Sequence, residues 1–116
     1  MTNVIYYTTL KGEVPVKDFI SSLSSSDKAK ISRVILSIEH YGLIIAIRHI
    51  KKLTGTPLWE IRILGQNSIR VLYATFEKDV VILLHGFVKK SQKTPGKELS
   101  IAAKRLQEWV ARPTVA

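Results

Sequence analysis

The stretch WEIRILGQNSIRVLYATFEKDVVILLHGF, residues 59–87, decides the architecture. Trp59, Ile61 and Ile63 alternate with Glu60 and Arg62, the period of a half-buried strand. GQNS is turn-rich, IRVLYATF is rich in β-branched and aromatic residues, and EKD makes a second tight turn. VVILLHGF is continuously apolar, as a central strand covered on both faces would be. Two consecutive hairpins follow, and with them an antiparallel sheet. If Trp59, Ile61 and Ile63 face a core, their best partners are Tyr73, Val71 and Ile69, so that odd residues oppose odd residues. Arg62 then lies opposite Arg70, with Glu60 beside them and opposite Leu72. A slip of one residue would turn every side chain of one strand over and mismatch the apolar faces.

Outward from this core, VIYY (4–7) reads as a short strand. VPVKDFISSL (14–23) places a proline in a first helical turn, with Val16, Phe19, Ile20 and Leu23 at helical spacing. SSSDKAKISRVILSIEHYGL (24–43) opens on serines able to cap amides, runs an apolar stripe through Ile31, Val34, Ile35, Ile38 and Tyr41, and meets a stop at Gly42. The segment IIAIRHIKKLTGTP (44–57) carries no assignment. TPGKELSIAAKRLQEWV (94–110) closes the chain as an amphipathic helix with Thr94 as N-cap and Pro95 in the first turn. The expected order is β-α-α-β-β-β-α, an α+β fold in one domain spanning residues 1–116.

The chain has 116 residues, enough to bury roughly two-thirds of its unfolded surface. Without cysteine it has neither a disulfide framework nor a thiolate metal site, and a reducing, cytoplasmic setting is expected. No apolar run reaches the ~20 residues of a membrane span. Eighteen Lys and Arg against nine Asp and Glu leave a formal charge of +9, which favours a polyanionic or acidic partner. Seven of those cations fall in residues 89–116, against two acidic residues there, and RHIKK (48–52) is a second concentration.

The register brings Arg62 and Arg70 side by side. Like charges directly opposed cost a few tenths to about 1 kcal/mol unless an anion or Glu60 relieves them. The strand ending at Phe87 delivers Lys89 and Lys90, with Gln92 and Lys93 just beyond. Arg62, Arg70 and Lys90 converging on one patch would suit a phosphate: two guanidiniums that grip oxygens bidentately and a mobile ammonium. The three histidines are not spaced as a metal site. His85 reads as a hydrogen-bonded strand residue bordering the patch, and Tyr73, Trp59 and Trp109 as core.

Three motifs together, KLTGTPLWEIRI (52–63), IRVLY (69–73) and ILLHGFVKKSQKTPGKELSIAAKR (82–105), resemble the RelE/ParE toxin superfamily, in particular its HigB-like, phage-derived branch. The resemblance implies a small antiparallel sheet packed against two N-terminal helices. It implies a ribosome-dependent endoribonuclease that cuts mRNA in the ribosomal A site without a cofactor or metal. It also implies a cognate antitoxin, usually a helix-turn-helix protein of the HigA kind. By motif, Arg62, Arg70 and Lys90 take the positions of the family's basic site residues, with Lys93 a second candidate proton donor. Lys51, Lys52, Lys89, Gln92 and Lys97 are candidates for holding the RNA backbone. The chemistry implied is attack of the 2′-hydroxyl on its adjacent phosphate, which needs a proton acceptor, a proton donor and stabilisation of phosphate charge. No Tyr or His follows Phe87 to act as the acceptor. A gyrase-poison type of toxin and a non-catalytic prophage-derived module are the other readings of the same fold.

Overall fold

The structure, a computed structural model, describes residues 2–64, 68–77, 79–90 and 94–113. Its elements are β1 (Asn3–Tyr6), α1 (Pro15–Ser21), α2 (Ser25–Tyr41), a 3-10 segment (Leu43–His49), β2 (Ile50–Lys52), β3 (Trp59–Ile63), β4 (Ile69–Thr75), β5 (Val80–Val88) and α3 (Gly96–Ala111). The chain is thus α+β, as its patterning implies. The short strand β2 is an addition inside the unassigned segment, where three residues offer too little alternation to be read as a strand.

The five strands lie in the order β1-β5-β4-β3-β2. The hairpin register matches the expectation residue for residue: Trp59 opposes Tyr73, Glu60 Leu72, Ile61 Val71, Arg62 Arg70 and Ile63 Ile69. The sheet is mixed rather than antiparallel, because β1 runs parallel to β5 from Asn3↔Val80 to Tyr6↔Leu83. A strand whose chain departs through helices need not return as a hairpin partner. Here β1 covers the open edge of β5, whose Ile82, Leu83 and Leu84 are almost wholly buried.

Each face of the sheet has its own core. Ile61, Ile63, Ile69, Val71, Tyr73 and Leu83 pack against Val16 of α1 and Ile31, Ile35 and Ile38 of α2. Leu72, Ala74, Ile82, Leu84 and Phe87 pack on the other face against α3 through Ala102, Leu99, Leu106 and Trp109. Burying one such aliphatic side chain is worth roughly 1.5–3 kcal/mol. Tyr73 is fully buried and stacks on Trp59 with ring centroids 6.4 Å apart.

The helix signals act largely as read. Pro15 sits in the first turn of α1, Ser24 Oγ accepts from the Asp27 amide at 3.2 Å, and Gly42 ends α2 at φ +83°. The start of α3 differs. Pro95 is the N-cap and no side chain caps the helix. The Thr94 hydroxyl instead donates to Glu60 Oε2 at 2.6 Å. Reaching this buried carboxylate holds the hydroxyl away from the amides at the start of α3.

Gly86, opposite Val71, is where the sheet is most sensitive to added bulk. A Cβ there would stand 2.3 Å from Cδ2 and 2.9 Å from Cγ of Phe19 in α1. The ring is approached near its stem and cannot swing aside without moving α1. Gly86→Ala is expected to cost about 1–3 kcal/mol by overpacking, and urea denaturation showing less than a few tenths would contradict that.

Candidate nucleic-acid interface

The face shared by Glu60, Arg62 and Arg70 is covered by α3 only in part, and its uncovered end is cationic. Arg70 is 6% exposed and Glu60 0%. Arg70 Nε stands 3.1 Å from Glu60 Oε1, an ion-pair distance at which the N–H is not aligned on the oxygen. Arg70 Nη1 donates to the Ile69 carbonyl at 3.1 Å. Burial lowers the Arg70 pKa and Arg62 adds to that, while Glu60 opposes both. Glu60 therefore relieves the opposed arginines, and it is anchored from its other oxygen by Thr94. Arg62 is half-buried, and its Nε has no hydrogen-bond partner among the described residues.

A bulge decides which lysine joins this patch. Tyr73 pairs with Leu83, but Leu72 pairs with His85, so Leu84 has no partner in the β4–β5 ladder. Past this extra residue the parity of β5 reverses. His85 and Phe87 fall on the face of Leu72 and Arg70, and Lys89, whose amide donates to the Ser68 carbonyl at 2.7 Å, continues that face. Lys90, the lysine expected to converge with the arginines, lies beyond the end of β5 and is exposed. Desolvation lowers the pKa of Lys89, opposed by Glu60 and reinforced by Arg70, Lys51 and Arg62. Those named influences place Lys89 among the same charges. Lys51 pairs with Glu60 across β2 and β3 and so lies on the same face.

Not every anticipated residue gathers here. Lys52 pairs with Trp59 on the opposite face, sits 5.3 Å from the Trp59 ring centroid and donates to the Thr56 carbonyl at 2.6 Å. Lys97 lies in the first turn of α3, near enough to His85 to depress its pKa. Gln92 and Lys93 fall outside the described residues. Missing from the expectations was Arg105, which donates to the Leu84 carbonyl at 2.8 Å and so ties α3 to the bulge.

His85 borders the patch, with its ring stacked on Phe87. Its Nε2 is 3.0 Å from Glu98 Oε1 and its Nδ1 3.3 Å from Arg105 Nη1. Burial lowers its pKa, Glu98 works against the shift, and Arg105 and Lys97 support it. A folded-state pKa below the unfolded value of about 6.5 means that the unfolded chain binds more protons between the two. Stability should therefore fall as pH drops from 7 through that window. His85→Gln should flatten the dependence of Tm on pH below 7, and an unchanged slope would remove His85 as its source.

Fold and site together define a small α+β protein of RelE-like build with cations gathered on one sheet face. The chain belongs to the family described as phage derived protein Gp49-like (DUF891), whose model matches residues 18–107. That family is associated with the RelE-like toxins of toxin–antitoxin systems. No curated protein matches the chain. Among the described residues, no helix is long and apolar enough to cross a membrane.

Proposed function

We propose that the protein is a HigB-like toxin of a toxin–antitoxin pair, acting in the cytoplasm as a ribosome-dependent mRNA endonuclease. The observation that carries this reading is the convergence of Arg62, Arg70, Lys51 and Lys89 around a single buried carboxylate, Glu60. Such a net positive cluster is fitted to a phosphodiester. In the proposed reaction the 2′-oxygen forms a bond to the adjacent phosphorus and the bond to the 5′-oxygen breaks, leaving a cyclic phosphate and a 5′-hydroxyl. Arg62 and Arg70 stabilise the charge on the non-bridging oxygens, a role suited to guanidiniums. Lys89 takes the donor role in place of Lys90: an ammonium desolvated by burial and crowded by cations gives up its proton more readily to the leaving oxygen. His85 is engaged at both ring nitrogens, so the proton of the 2′-hydroxyl passes to a ribosomal group or to a lysine of lowered pKa.

The test is controlled expression of the wild type and of Arg62→Ala, with mapping of mRNA 5′ ends. Arg62 is the residue to change, because Arg70 belongs to a buried pair and its loss would confuse activity with stability. New ends inside translated frames, absent with Arg62→Ala at equal folded level, are expected. Growth arrest without new ends would replace this reading by a binding toxin of the gyrase-poison type. No arrest at all would leave a non-catalytic module.

A further inference from the structure

Two motif segments that lie far apart in the sequence meet at one hydrogen bond. The Thr94 hydroxyl, just before α3, donates to Oε2 of Glu60 in β3 at 2.6 Å. The other carboxylate oxygen, Oε1, stands 3.1 Å from Arg70 Nε. Glu60 is fully buried, whereas Thr94 is half-buried at the edge of the cationic face.

Four cations surround this carboxylate, and it pairs with only one of them. Lys51 faces Glu60 across β2 and β3, and Arg62 follows two residues further along the same face, about 7 Å away. Burial lowers the pKa of Lys89, and of the surrounding charges Glu60 acts on it most, in the opposite direction. Yet among the described residues no carboxylate stands within ion-pair distance of Lys51, Arg62 or Lys89. An ionised carboxylate accepts through both oxygens and can hold two cations at once. Here the second oxygen is filled by a short bond from an uncharged donor, which also fixes the plane of the carboxylate.

We propose that Thr94 is a positioning residue of the phosphate site: by occupying Oε2 of Glu60 it confines that carboxylate to Arg70 and leaves Arg62, Lys51 and Lys89 to the phosphodiester. It touches no reacting atom and acts only through Glu60. Without the hydroxyl, Oε2 draws in Lys89. The site then loses one phosphate ligand, and a lysine paired with a carboxylate holds its proton more tightly. The effect on cleavage rests on the nuclease reading above, whereas the distribution of charge pairs in the free protein does not. Thr94 is not needed to hold α3 in place. Arg105 donates to the Leu84 carbonyl at 2.8 Å, Arg112 to the Thr8 carbonyl at 2.6 Å, and Glu98 stands 3.0 Å from His85.

The test compares the full chain with Thr94→Val, which keeps the branched shape, and Thr94→Ser, which keeps the hydroxyl. Lys89 is titrated by NMR in protein labelled at its lysine side chains, its signal assigned by its loss in Lys89→Arg. Binding of a single-stranded RNA oligonucleotide, with methoxy groups in place of its 2′-hydroxyls, is measured across a range of salt. In Thr94→Val the pKa of Lys89 should rise. RNA binding should weaken about fivefold near 0.1 M salt, and the slope of log K against log salt should fall by about 0.7, the share of one phosphate contact on a single strand. Thr94→Ser should restore all three. An unchanged Lys89 titration in Thr94→Val would overturn the proposal and leave Thr94 as an anchor of α3, seen only as a lowered Tm. Failure of Thr94→Ser to restore the titration would overturn it as well. A wild type that yields no new mRNA ends would count against the nuclease reading, and the Lys89 titration, made on the free protein, would still decide the role of Thr94.

Discussion

Glu60→Ala is expected to destabilise the protein by about 3–5 kcal/mol, the usual cost of removing one partner from a buried ion pair. In a chain of this size that is on the order of 10–25 °C in Tm. The carboxylate is fully buried, holds Arg70 at 3.1 Å and accepts from Thr94 at 2.6 Å. Its loss would leave Arg70 buried beside Arg62 with no counter-charge, and would release the Thr94 hydroxyl just before α3. Replacing the whole pair, as in Glu60→Leu with Arg70→Met, should recover most of the stability, because an apolar pair of similar volume carries no desolvation penalty. Thermal denaturation of the two variants decides the matter. A loss below about 1 kcal/mol in Glu60→Ala would mean that water reaches the pair. Under the proposed function the stable double variant would still be inactive, which separates the pair's structural role from its part in the site.

The second large effect concerns adjacent lysines. Lys89→Ala should lower cleavage by about 10²–10³-fold, the range for losing a positioned proton donor or a charge-stabilising group. Lys90→Ala should remain within a few-fold of the wild type. The contrast follows from the bulge at Leu84, which puts residue 89 on the face of Arg62 and Arg70. Single-turnover cleavage of programmed ribosomes by both variants measures it. Equal losses in the two, or a larger loss at Lys90, would mean that the segment after Val88 rearranges when RNA binds.

The two lysines also show where sequence reasoning stops. The pairing of Arg62 with Arg70 was legible because β3 alternates cleanly, and only one register keeps Trp59, Ile61 and Ile63 on a core. In β5 the run VVILLHGF is apolar on both sides, as a strand buried between two helical layers must be. A run without alternation carries no parity, so the bulge left no trace, and the motif that put Lys90 among the site residues says nothing of which face a lysine takes.

Local pattern thus determined the helices, the hairpin register, the two buried faces and the presence of a cationic patch, because each depends on side-chain period or on capping within a few residues. Tertiary structure alone decided the parallel placement of β1, the diversion of Thr94 from capping to Glu60 and the reversal of parity at Leu84. Each of these depends on which distant groups compete for the same hydrogen bond, strand edge or charge, and that competition exists only once the chain has closed.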